Sequence, residues 1–266
     1  MAYDSHAVKP VGWNGIHFHL PQDWDVTVKG NCHLIIEQAL QPFLEFRWQK
    51  KGHHPSKKSH AEFILSQLHK ETKKRPQIIE SPQFLQPLHP HFEVSAFSLD
   101  GLAYPSGAVI TCRNSGTLIL FQFFNITPSS AKSLLCFFKT FNCCMEDDQN
   151  SSWSIDDLTF LLPQHFTLDR YSFSLGLTQF HFKSRGSDLK FCRLATASKH
   201  LERSTFKNLF AHFNGGDPEN CTVIDNNTLV MNSSPSLGDR LLWAIKRKKI
   251  YHWGKFCYFT DQDKIL

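Results

Sequence analysis

The chain is 266 residues long, 41% hydrophobic and 20% charged, with a net charge of +5. That balance belongs to a folded protein with one large core or two small ones, and it excludes a disordered tail. No stretch approaches the roughly 18 apolar residues of a membrane-spanning helix, and residues 1–10 lack a signal-peptide apolar run, so the expectation is a cytoplasmic protein without a transmembrane segment.

Trp13 leads into Ile16-His17-Phe18-His19-Leu20-Pro21, a strand closed by a proline, which lacks the N–H that a central ladder needs. Strands are predicted over 34–37 and 43–48. Ser59 caps a helix with Phe63, Ile64 and Leu68 on one face. Strands follow over 77–80 and 92–99, then a hairpin of 108–112 and 117–125 that turns through Arg113-Asn114-Ser115-Gly116. A helix from 129 or 130 to 141 turns Leu134, Leu135, Phe138 and Phe141 inward. The polar run 146–152 reads as a linker.

Beyond the linker the pattern recurs. Ile16 to Val26 matches Leu158 to Leu168 at an offset of 142, and both pass through Leu-Pro-Gln to an aromatic, Trp24 or Phe166. Strands are predicted over 177–182 and 189–194, where Leu189 and Phe191 align with Leu44 and Phe46. Arg47 and Arg193 follow the aligned phenylalanines by one and two residues and form a candidate shared anion site. Leu201, Phe206, Leu209, Phe210 and Phe213 recur at helical spacing before Asn214-Gly215-Gly216 stops the helix. Strands over 222–224, 228–231, 240–245, 250–253 and 255–259 complete the second copy, which has no match for the closing helix.

This order predicts an α+β protein of two similar copies, each an antiparallel sheet covered by helices: 12–145, then a linker over 146–152, then a shorter copy over 153–266. The opening strand, the Leu-Pro and the following aromatic resemble the PsbP-like fold, shared by the photosystem protein PsbP and Ran-binding nuclear import factors. The resemblance implies a mostly non-catalytic protein that works by binding other proteins. It carries over no partner-specific residue.

The eight cysteines include no Cys-x-x-Cys pair, and no Cys/His spacing matches a zinc module, so they read as small buried hydrophobes in a reducing compartment. No nucleophile elbow, His-Glu-x-x-His, dinucleotide fingerprint or phosphate-binding loop is present, and no cofactor is implied. His17 and His19 share one face of a strand, a minimal metal half-site. Charge is uneven: residues 49–75 hold eight basic and two acidic side chains, more than the whole net excess. Lys50, Lys51, Lys57, Lys58, Lys73, Lys74 and Arg75, with Lys246, Arg247, Lys248 and Lys249, are the candidate binding residues, suited to an acidic protein or to phosphates. Trp243, Tyr251 and Trp253 flank the second cluster and alternate along predicted strands, which reads as one core face. The expectation is a non-enzymatic binding or adaptor protein with another protein as partner. A nucleic-acid binder using the two basic clusters, and a metal-dependent enzyme or metal carrier built on His17 and His19, are the alternatives.

Overall fold

The computed structural model describes residues 8–50, 68–70, 73–99, 105–124, 126–143, 150–214, 221–225, 227–233 and 252–266. The chain divides into two compact units, Met1–Gln164 and His165–Leu266.

The first unit opens with a hairpin of β1 (Val8–Trp13) and β2 (Ile16–Pro21). Its two-residue turn, Asn14-Gly15, takes φ of 47° and 88°, the left-handed pair that matches the twist of the flanking strands. A meander follows: β3 (Trp24–Gly30), β4 (His33–Gln38) and β5 (Gln41–Gln49). Then come β6 (Pro76–Ile79), a 3-10 turn over Gln83–Leu88, β7 (Phe92–Leu99), β8 (Gly107–Cys112), β9 (Leu118–Phe123) and helix α1 (Pro128–Thr140). Thr127 caps α1: the Ser130 N–H donates to its Oγ1 at 3.2 Å, and its own N–H donates to Ser130 Oγ at 2.7 Å. A second hairpin, β10 (Asn150–Ile155) and β11 (Leu158–Pro163), also lies in this unit.

The two hairpins form one four-stranded sheet in the order β11-β10-β1-β2. They meet where Gly12 stands opposite Ser154. A Cβ on Gly12 would lie 2.8 Å from the Ser152 carbonyl oxygen, so the close approach requires glycine. Trp13 and Trp153 pack edge to face across this junction at 5.4 Å.

The larger sheet is antiparallel in the order β3-β4-β5-β9-β8-β7-β6. One face is the aromatic core: Phe46 and Phe121 lie 5.3 Å apart, Phe121 lies 5.2 Å from both Phe138 and Phe141 of the α1 end, and Phe18 of β2 lies 4.9 Å from Phe137. Each such phenylalanine removed from water contributes roughly 1.5–3 kcal/mol, so this cluster dominates the unit's stability. On the opposite face Leu68, at a helical turn, packs on Phe97 and Val109.

The second unit contains β12 (Thr167–Ser174), β13 (Leu177–Ser184), β14 (Ser187–Ala195), α2 (Ala197–Leu201), α3 (Phe206–Asn214), β15 (Cys221–Asp225), β16 (Thr228–Ser233), β17 (His252–Phe259) and β18 (Lys264–Ile265). Its sheet runs β12-β13-β14-β18-β17-β16-β15, the same order as in the first unit when strands are counted from the meander. Ile265 pairs with Leu194 and Tyr258 as Leu118 pairs with Gln49 and Thr111. This register brings Phe191 to the place of Phe46. Helices α2 and α3 bury Ala197, Leu209 and Phe210 against Leu194, Leu229, Met231, Phe256 and Ile265.

The α+β class, and with it the PsbP-like sheet covered by helices, is overturned: among the described residues strand accounts for 58% and helix for 18%. The alternating apolar residues of 13–20 and 153–162 do not join the meanders they precede. They pair with each other as a third sheet, and Phe18 of that sheet fills core space assigned to helices. In the second unit, the single helix expected from Leu201 to Phe213 is two short ones. The strands expected over 250–253 and 255–259 are one, β17, which runs through Gly254. The strand expected over 240–245 and the helix capped by Ser59 lie outside the described residues, apart from Leu68.

Candidate functional site

Of the eleven candidate basic residues, Lys50, Lys73, Lys74 and Arg75 are described, and all four are exposed. Lys51, Lys57, Lys58, Lys246, Arg247, Lys248 and Lys249 lie outside the described residues. His17 and His19 do share a face of β2, but their surroundings differ. The His17 backbone exchanges two 2.8 Å hydrogen bonds with Asn142, and its ring is pressed inward. Burial disfavours the charged imidazolium and lowers its pKa to about 4. Its Nε2 is buried with no hydrogen-bond partner among the described residues. His19 is exposed. Among the described residues no group of three His, Cys, Asp or Glu stands close enough to hold a metal, and no helix is long and apolar enough to cross a membrane.

Arg47 and Arg193 do not occupy matching places in their two sheets. With Phe191 in the place of Phe46, the one-residue difference in spacing sends the two arginines to opposite sheet faces. Arg47 donates from Nε and Nη2 to Glu45 Oε1 at 3.0 and 2.8 Å, and His33 Nε2 lies 2.8 Å from the same oxygen. His33 and Glu45 complete an ion cluster that sequence spacing alone does not join, because they meet only through the β4–β5 register. A cleft of about 290 Å³ lies at the β4–β5 turn, lined by Gln38, Gln41, Phe43, Phe124, Thr127 and Ser130 among others, none of its lining residues ionisable. The Ala39-Leu40 turn at its rim holds φ of 49° and 62°, which is costly for non-glycine residues.

The feature that sets one region apart is the β15–β17 half of the second sheet. Along β17, Phe256 and Tyr258 point to the α2–α3 core, so Trp253, Lys255, Cys257 and Phe259 point the other way. No described element covers them. Trp253 is 65% exposed and Phe259 39%, and Ile224 at the β15 edge is 62% exposed. The register equates Lys255, Cys257 and Phe259 with Ala108, Ile110 and Cys112 of β8, which are at most 3% exposed beneath the α1 face. Lys264 adds a cation 6.0 Å above the Phe259 ring. Trp253, expected in a core, is therefore a surface residue. The alternation was visible in sequence, but not which of the two faces is covered.

No family model matches the chain, nor does any curated protein or solved structure.

Proposed function

We propose that this protein is a binding module that docks another protein on the open β15–β17 half of its second unit. The observation that supports the reading is Trp253, a tryptophan left 65% exposed on the face of an ordered strand, with Phe259 and Ile224 as further exposed apolar side chains of the same half-sheet. A tryptophan offers about 150–250 Å² of apolar surface to a partner, and tryptophan is the residue type most enriched among the few that dominate binding energy. Lys255, exposed on the same face, favours a partner with acidic side chains at the rim.

The test is a pull-down from native extract with the wild-type chain and Trp253→Ser, each split into nuclease-treated and untreated halves. Proteins retained by the wild type in both halves and lost from the variant are the expected result. Equal retention by the variant contradicts the reading. Material lost on nuclease treatment moves the function to the basic residues and nucleic acid.

A further inference from the structure

The sheet of the second unit carries a row of three basic side chains on the face that packs on α2 and α3. Arg170 of β12 stands opposite His181 of β13, and His181 stands opposite Lys190 of β14. Arg170 Nη2 lies 3.5 Å from His181 Nδ1. Ala195 donates to the Gly176 carbonyl, which makes His181 and Lys190 a pair without mutual backbone bonds, the kind whose side chains stand closest. Neighbouring strands lie about 4.8 Å apart, so the row spans roughly 10 Å and the two long side chains can meet over its centre.

Like charges facing one another across strands cost stability, and here the nearby carboxylates are engaged elsewhere. Asp169 lies 3.0 Å from Lys183, and Asp188 stands opposite Lys183 in the next row. Among the described residues no carboxylate forms an ion pair with Arg170 or Lys190. Lys190 gives one N–H to the Phe213 carbonyl at 2.6 Å, and an ammonium has two more to offer. Burial, then the charges of Arg170 and Lys190, hold the His181 pKa below its ordinary value against the opposing pull of Asp169 and Asp188. The first unit shows that the sheet does not need this row. With Phe191 in the place of Phe46, the matching residues are Thr27, Ile35 and Glu45, and Glu45 is satisfied by Arg47 and His33.

We infer that Arg170, His181 and Lys190 form a binding site for the phosphate group of a phosphate monoester. The guanidinium and the ammonium, both exposed, reach its oxygens from the two ends of the row, and the half-buried imidazole between them adds a ring N–H. A compact dianion fits this place better than a nucleic-acid backbone, whose next phosphates would fall on Asp169 and Asp188. The site lies on the sheet face opposite to Trp253 and stands apart from the docking reading above.

The experiment titrates the full chain with inorganic phosphate, O-phosphoserine, a phosphoserine peptide and the same peptide with glutamate in place of phosphoserine. Calorimetry and the NMR signals of the His181 ring, assigned by their loss in His181→Gln, are the readouts. Saturable binding of the three phosphates that moves the His181 signals is expected. It should weaken about tenfold or more in Arg170→Gln and in Lys190→Gln, and persist in Lys190→Arg, which keeps the charge. Lys132→Gln, which removes the same charge from the first unit, and Trp253→Ser should bind as the wild type does. A phosphopeptide held more tightly than phosphoserine assigns the phosphate to a modified protein, and equal affinities assign it to a small molecule; both support the site. No saturable binding, binding that leaves the His181 signals in place, equal weakening by Lys132→Gln, or equal affinity for the glutamate peptide overturns the inference.

Discussion

The first unit fills the gap after its meander with the six-residue β9 and lays α1 over the adjoining face. In the second unit, with the same strand order, Lys264–Ile265 of β18 stand at that place, and no described element covers the β15–β17 half of the matching face. The opposite face is treated alike in both: helical residues between the third and fourth strands pack on Phe97 and Val109 in one unit and on Met231 and Phe256 in the other. One topology thus has a face packed by helical residues in both units and a face whose described cover differs between them. An antiparallel sheet tolerates this because only one of its faces must be dry.

Truncating one aromatic in each large sheet should separate the units most sharply. Phe121→Ala empties the centre of the α1 cluster and is expected to cost about 3–5 kcal/mol, whereas Phe259→Ala, half in water, should cost roughly 1 kcal/mol or less. Urea denaturation of both variants makes the comparison, and equal costs would erase the distinction.

The next effect is a pH dependence carried most strongly by His17 of the first unit, whose pKa burial lowers to about 4. The folded state holds the His17 pKa at about 4, against an ordinary 6.5. Between those values the unfolded chain binds the extra proton, so this stability is full above pH 6.5 and drains away as pH falls toward 4. The loss is of order 2–3 kcal/mol. His17→Thr, the residue at the matching position of the second hairpin (Thr159), should remove that slope in denaturation series at pH 7, 5.5 and 4.5.

The second unit has a different acid sensitivity. Asp263 accepts from the Ser198 N–H at 2.7 Å and from its hydroxyl at 2.9 Å, tying the start of α2 to the turn before β18. The Ser198 backbone bond leads in lowering its pKa. Its contribution is present above the ordinary carboxylate range and is lost as pH falls through the lowered value. Asp263→Asn should flatten thermal stability below pH 4 and leave the His17 window untouched. The smallest effect is on the docking face: Trp253→Ser should change stability by no more than about 0.5 kcal/mol while removing partner capture.

Much of the local structure was legible. Leu-Pro-Gln marks the end of β2 at Pro21 and of β11 at Pro163, because proline cannot carry a ladder onward. The alignment of Phe46 with Phe191 agrees with the register that the pairing of Ile265 imposes. What was not legible is partner choice between strands. Alternation in Trp13 to Leu20 specifies a strand with one apolar face, but not that it pairs with the other hairpin across Gly12 and Ser154. The exposed position of Trp253 was hidden for the same reason: a period of two names the faces without saying which one is covered.

The most direct measurement is hydroxyl-radical footprinting of the tryptophans, read by mass spectrometry. The account predicts heavy labelling of Trp253, 65% exposed, and protection of Trp13 and Trp153, at most 3% exposed. Protection of Trp253 equal to theirs would contradict a docking face on the second unit.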